Sequence, residues 1–98
     1  MADLIGTRNS DTLSDLLLSP FGDRVAGLEG NDTLEGGAGN DNLSGGDGND
    51  TILGLAGADQ MQGNAGDDVM DGGDGNDVMT AGDGNDSVDG GAGNDVIE

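Results

Sequence analysis

Large aliphatic residues recur at every ninth position along most of this chain, at Leu34, Leu43, Ile52, Met61, Met70, Met79, Val88 and Ile97, between mostly polar neighbours. A period of nine fits neither the 3.6-residue helix nor a simple alternating strand, so it marks a repeat. From Gly27 eight units run unbroken: GLEGNDTLE, GGAGNDNLS, GGDGNDTIL, GLAGADQMQ, GNAGDDVMD, GGDGNDVMT, AGDGNDSVD and GGAGNDVIE. In every unit the fourth residue is Gly, the sixth is Asp and the eighth is aliphatic.

The first six residues of a unit are turn formers, because Gly and Asn tolerate positive φ and Asp bonds its local backbone. The last three, such as Thr51-Ile52-Leu53, are strand-like. A three-residue strand with one inward aliphatic residue cannot stand alone, but equivalent strands stacked about 4.8 Å apart pair their backbones and join their side chains into a ladder. The pattern therefore predicts an all-β fold, a parallel β-roll or β-solenoid. Two nine-residue repeats form each coil, and two parallel sheets face each other. Leu34, Ile52, Met70 and Val88 from one sheet then meet Leu43, Met61, Met79 and Ile97 from the other. Positions seven and nine point outward and are mostly polar. Val69, Val78, Val96 and Leu53 depart from that rule, either as strand formers or as an outer patch that meets a partner.

Upstream the period weakens. Gly6 to Ser14 places Asp11 and Leu13 in the sixth and eighth places, the register then slips by three residues, and Leu18 to Ala26 again carries Asp23 and Val25 correctly. Terminal units of solenoids are atypical because something must cover the open core. Residues 1–26 thus read as degenerate first coils with an N-terminal cap plugged by Leu16, Leu17 and Phe21, and residues 27–98 as the regular roll. The chain stops on the last residue of a unit. An uncapped C-terminal coil is therefore expected, inviting end-to-end pairing of two copies or continuation in a larger protein.

Composition changes the picture. With one aromatic residue, 22 Gly and 32% hydrophobic residues, the core of such a roll is thin. Twenty-one acidic residues against Arg8 and Arg24 give a net charge of −19, a balance that repels nucleic acid and, without the period, would read as disorder. Cys and His are both absent, which removes disulfides, thiolate sites and the commonest transition-metal ligand. Leu16-Leu17-Leu18 is too short to span a bilayer, and MADLIGTRNS lacks the basic start and apolar stretch of a cleavable signal peptide.

Stacking coils in register brings the position-six carboxylates of units n and n+2 together, in one row of Asp32, Asp50, Asp68 and Asp86 and another of Asp41, Asp59, Asp77 and Asp95. Left alone, these like charges oppose the stack. A hard divalent cation between them reverses the sign: Ca²⁺ takes six to eight oxygen ligands, which Gly-rich turns supply as carbonyls, whereas Mg²⁺ demands a tighter octahedron. Three gaps per row give roughly six ions, and Asp11 and Asp23 would raise the number to about eight. No segment has the spacing of an EF-hand loop.

These units match GGxGxDxUx, with U a large aliphatic residue. The chain resembles the RTX, or haemolysin-type calcium-binding, β-roll family of exported bacterial toxins, proteases, lipases, epimerases and adhesins, closely over 27–98 and loosely over 6–26. The resemblance implies that the position-six Asp residues bind Ca²⁺ together with turn carbonyls such as those of Gly36, Ala38, Asn40, Gly45, Asp47, Asn49, Gly72, Asp74, Asn76, Gly90 and Ala92. Leu28, Leu55, Asn64, Ala81 and Ala58 depart from the pattern, and weaker sites are expected there. Asp47, Asp74, Asp83, Glu35, Asp71, Asp89 and Glu98 read as solvated charges that discourage edge-to-edge association.

The function so implied is a module that folds on binding several Ca²⁺ ions, suited to secretion through a type I channel without a cleavable signal peptide. An adhesin or polysaccharide-binding module of a larger secreted enzyme is the alternative. Catalysis within the chain is not expected, since His, Cys, Tyr, Trp and Lys are all missing and with them the usual nucleophile and base pairs; a catalytic domain would lie outside it.

Overall fold

Eighteen residues make one full coil. A computed structural model describes residues 3–6, 12–14 and 22–98, and in it the short strands alternate between two sheets, all of them parallel. One sheet contains β1 (Asp3–Ile5), β3 (Arg24–Ala26), β5 (Asn42–Asp47), β7 (Gln60–Ala65), β9 (Val78–Asp83) and β11 (Val96–Ile97) in that spatial order. The other contains β2 (Thr12–Ser14), β4 (Thr33–Gly37), β6 (Thr51–Leu55), β8 (Val69–Asp71) and β10 (Ser87–Asp89). No helix occurs among the described residues. The fold is the β-solenoid that the nine-residue period predicts, with each sheet covering the inner face of the other.

The register locates the slip seen in the sequence. Leu43 lies beside Val25 and Met61 beside Leu43, steps of eighteen, whereas Val25 lies beside Leu4 and Leu34 beside Leu13, steps of twenty-one. The three extra residues therefore fall between Ser14 and Arg24. Strands β1 and β2 continue both sheets upstream of the regular units, so part of the 1–26 segment shares the roll's hydrogen bonding. Leu16, Leu17 and Phe21, the expected plug, lie outside the described residues.

Among the described residues seven side chains form the core: Val25, Leu34, Leu43, Ile52, Met61, Met70 and Met79, none more than 1% exposed. Ala81 and Val88 pack against them partly buried. Ile97 departs from its expected inner role, being 50% exposed on β11, the edge strand of its sheet. The aliphatic layer is one residue deep between sheets, in line with a smallest molecular extent of 13 Å.

Five strands, β4, β5, β6, β7 and β9, are longer than the three residues that the pattern predicts. β5, β7 and β9 run six residues, into positions one to three of the next unit. Position one is extended and buried at Gly36, Gly45, Gly54 and Gly63, so what reads there as a turn residue by composition is a strand residue in place. Turning is done by positions two and four, which carry positive φ throughout the regular units. At position two the chain puts non-glycine residues into that region: Leu28 (φ 78°), Leu55 (φ 76°) and Asn64 (φ 73°). Asn adopts it readily; Leu does so at a cost of roughly 1–2 kcal/mol. Asn64 also gains a side-chain bond, its Nδ2 donating to Ser44 Oγ at 3.0 Å.

Position four allows no substitute for Gly. At Gly75 φ is 120°, and a Cβ there would overlap the carbonyl group of Gly57 in the coil before. That close approach lets turns of successive coils stack as tightly as their strands.

Candidate metal centre

Asp at position six sits where the turn re-enters the strand, with its own N–H facing the following coil and its side chain reaching back toward the preceding one. The N–H of Asp32 donates to Asp50 Oδ1 at 2.8 Å, that of Asp50 to Asp68 Oδ1 at 2.8 Å and that of Asp68 to Asp86 Oδ1 at 2.8 Å. On the opposite edge Asp23, Asp41, Asp59 and Asp77 donate in turn to Asp41 (2.9 Å), Asp59 (2.7 Å), Asp77 (2.8 Å) and Asp95 (2.9 Å). All eight regular carboxylates therefore fall into the two expected rows. Asp23 heads the second row; Asp11 lies outside the described residues.

These carboxylates are buried. Asp41, Asp50, Asp59, Asp68 and Asp77 are at most 2% exposed, as are Asp23 and Asp32, while Asp86 and Asp95 on the last coil are partly covered. Burial favours the neutral form. It pushes Asp50 up to about 6 and Asp59 up to about 7, with the hydrogen bonds from Asp32 and Asp41 pulling the other way and the neighbouring Asp charges of each row adding to the rise. Asp41, Asp68 and Asp77 are raised for the same reason.

One oxygen of each is satisfied; the other is not. Oδ2 of Asp41, Asp50, Asp59, Asp68 and Asp77 is buried with no hydrogen-bond partner. Five such orphaned oxygens in one small fold would be costly in a finished structure, where buried polar atoms find partners. Each faces position one of its own unit. A Cβ on Gly54 would come within 2.5 Å of Asp59 Oδ2 and 2.6 Å of Gly72 O, and one on Gly63 within 2.5 Å of both Asp68 Oδ2 and Ala81 O. On Gly36 it would meet Asp41 Oδ2 at 2.7 Å and Gly54 O at 2.9 Å. A carboxylate oxygen and a carbonyl oxygen of the next coil thus converge on one place, and Gly keeps it clear. Ala81 occupies position one of its unit in place of Gly.

The predicted carbonyls divide by position. Those of Gly45, Gly72 and Gly90 face this cradle, and Gly36 lines it through its Cα; the carbonyls of Gly54 and Ala81, which the sequence reading omitted, do so equally. Position-three carbonyls already accept a bond from the coil before, Asp74 O from Gly57 N–H at 3.1 Å and Ala92 O from Gly75 N–H at 3.0 Å. Ala38 and Asp47 lie exposed on the turns, the N–H of Asp47 donating to Leu28 O at 2.8 Å.

Position five has a role that composition hid. The side chains of Asn40, Asn49 and Asn76 accept from the N–H of Ala58 (2.8 Å), Asp67 (2.8 Å) and Asn94 (2.9 Å), and Asp67 Oδ1 accepts from Asn85 N–H at 2.8 Å. These side chains reach toward the C-terminal coil, opposite in sense to those of the Asp ladder. Ala58 has no side-chain acceptor, so the ladder skips Asn76 N–H. The near-invariance of Asn or Asp at position five was the available signal.

Among the described residues no three acidic side chains meet. Carboxylates come in pairs and the remaining donors are carbonyls, a hard, all-oxygen set that suits Ca²⁺ and not a soft metal. Fold and donor set together define a calcium-binding β-roll. The family model for the RTX calcium-binding nonapeptide repeat (4 copies) matches residues 19–52, 44–79 and 62–97. The chain belongs to that family, and its repeats are calcium-binding structural units. No curated protein and no solved structure matches the chain. No helix of the described residues is long and apolar enough to cross a membrane.

Proposed function

We propose that this chain is a calcium-gated folding module in which each ion bridges the Asp residues of stacked coils: Asp32–Asp50, Asp50–Asp68 and Asp68–Asp86 on one edge, and Asp23–Asp41, Asp41–Asp59, Asp59–Asp77 and Asp77–Asp95 on the other. The orphaned, buried Oδ2 atoms carry this reading. Carbonyls at position one complete the shell, with ligands of the other coil and water. The intervals number three and four, within the roughly six to eight ions that the oxygen requirement of Ca²⁺ and the row lengths give. Residues 1–26 serve as degenerate first coils and an N-terminal cap.

Bound Ca²⁺ supplies positive charge between carboxylates that otherwise repel. The chain's own residues do the rest: Gly at positions one and four lets the coils close, Oδ1 of each Asp ties its rung to the backbone, and the aliphatic layer excludes water. Without the ions the charge of the buried rows opposes folding, so folding and binding are one equilibrium. A chain unfolded where calcium is scarce and folded where it is abundant suits export as an unfolded polypeptide and assembly outside the cell, in keeping with the exported proteins of this family. Circular dichroism across a calcium titration tests this. Strand signal should appear cooperatively with calcium and vanish with chelator; equal signal in both rules the module out.

One observation favours a second role as a binding module for a neutral, hydroxyl-rich polymer. Between Arg24 and Glu98 the outer face of the β3-β5-β7-β9-β11 sheet carries no carboxylate at positions seven and nine, only Ala26, Asn42, Ser44, Gln60, Gln62, Val78, Thr80 and Val96. Retention of the folded chain on a neutral polysaccharide, lost on Gln60→Glu, would support it.

A further inference from the structure

The eighth place of the repeat accepts Leu, Ile, Val and Met alike, yet it holds Met in three consecutive units, at Met61, Met70 and Met79. All three are core residues, at 0%, 1% and 0% exposure. Met61 lies directly beside Met79 in one sheet, and Met70 lies between Ile52 and Val88 in the facing sheet. The middle of the core is thus built from thioethers, where the units before it use Leu and Ile.

A thioether packs much as Leu does but differs from it in chemistry. Its sulfur takes an oxygen atom from a two-electron oxidant, and the sulfoxide so formed is polar and accepts hydrogen bonds. This core has nothing to offer such an acceptor. Its other members, Val25, Leu34, Leu43, Ile52, Ala81 and Val88, carry no polar hydrogen, and the strand N–H groups lie in the sheets, paired with neighbouring coils. The layer is one residue deep in a molecule whose smallest extent is 13 Å, so a sulfoxide has no second place inside to turn to.

We propose that Met61, Met70 and Met79 form a calcium-shielded oxidation site: a peroxide reaches the thioethers in the metal-free chain, and the resulting sulfoxides bar the calcium-bound roll. The inference rests on the reading of the chain as a calcium-gated folding module. In the reaction a sulfur lone pair attacks one peroxide oxygen, the S–O bond forms as the O–O bond breaks, and the departing hydroxide takes up a proton and leaves as water. Sulfur is oxidised by two electrons and the peroxide is reduced by two. The coupling runs both ways. Calcium protects the sulfurs by burying them, and oxidation weakens calcium binding, because both act on one folding equilibrium.

The test exposes the whole chain to hydrogen peroxide with calcium and with chelator, following sulfoxide at each of the three residues by peptide mapping and strand content by circular dichroism on the same samples. With calcium the three sites should oxidise at least about tenfold more slowly, since attack must wait for the roll to open. Chain oxidised in chelator should then need about fivefold more calcium to fold, the cost of an unpaired buried acceptor at each of three sites being shared over roughly six ions. Reduction by methionine sulfoxide reductases of both stereospecificities should return the midpoint to its starting value. The triple variant Met61→Leu, Met70→Leu, Met79→Leu nearly conserves volume and should keep its calcium midpoint after peroxide. Equal oxidation rates in calcium and chelator while the strand signal forms, a midpoint unmoved by oxidation, or a triple variant as sensitive to peroxide as the parent would each overturn the inference alone. No gain of strand signal with calcium would overturn the calcium-gated reading, and the inference with it.

Discussion

Replacing Asp59 by Asn should change sign with calcium, which separates a ligand from a merely structural residue. Asp59 lies 1% exposed in the middle of its row, and burial raises it from 3.8 to about 7. At roughly 1.4 kcal/mol per pH unit the rise amounts to about 4 kcal/mol against the ionised form at pH 8. Part of that reflects the charges of Asp41 and Asp77, which lose their own repulsion only partially, so a net gain of about 2 kcal/mol is expected for the metal-free fold. The amide oxygen still accepts the Asp41 N–H, now held at 2.7 Å, so the ladder survives. In calcium the same change removes a ligand from two adjacent rungs, Asp41–Asp59 and Asp59–Asp77. Osmolyte-driven folding in chelator measures the first effect, because excluded osmolytes strengthen burial. The calcium midpoint by circular dichroism measures the second. Asp59→Asn should need less osmolyte without calcium and more calcium without osmolyte. Weakening by the same amount in both conditions would refute the reasoning.

Acidity should act in the same divided way. Folded-state values of about 6 for Asp50 and about 7 for Asp59, against 3.8 when unfolded, mean that the folded chain binds more protons between roughly pH 4 and 7. Metal-free stability should therefore rise as pH falls through that window, while calcium affinity falls as protons compete; parallel pH series with calcium and with chelator check both slopes. Ala58→Asn should restore the missing acceptor for Asn76 N–H and stabilise the roll by about 1 kcal/mol, seen in the urea midpoint with calcium present. Leu28→Gly removes a side chain that is 48% exposed at φ 78°, and should stabilise by about 1 kcal/mol through relief of backbone strain. Gly75→Ala should cost more than about 3 kcal/mol, since its φ of 120° and the Gly57 carbonyl both oppose a Cβ.

How much of this was legible depends on which atoms carry the role. The aliphatic eighth place and the Asp in the sixth announce themselves by side chain, and the structure puts them in the core and in the two rows. The slip of three residues between Ser14 and Arg24 was equally plain, because a register error shows against a strict period. Roles carried by backbone were harder. Position one looks like a turn glycine, yet it is a strand residue kept bare so that a carboxylate and a carbonyl can meet beside it. Its own carbonyl serves the neighbouring cradle whatever the side chain, which is why Gly54 and Ala81 escaped notice. At position five the side chain's part was not legible, because stacking, invisible in one unit, gives it an N–H eighteen residues away. Ile97 shows the converse limit: a perfect core residue by pattern stays half-exposed on the edge strand β11.

The central claim is that calcium lies between stacked Asp residues along both edges of the roll. An anomalous difference map from crystals grown with calcium tests it most directly. The account expects two straight rows of peaks, spaced by the coil repeat of about 4.8 Å, each between one position-six Asp and the Asp eighteen residues on. Peaks confined to the exposed carboxylates of Asp47, Asp74 and Asp83, or ordered rows of Asp without any peak between them, would contradict it.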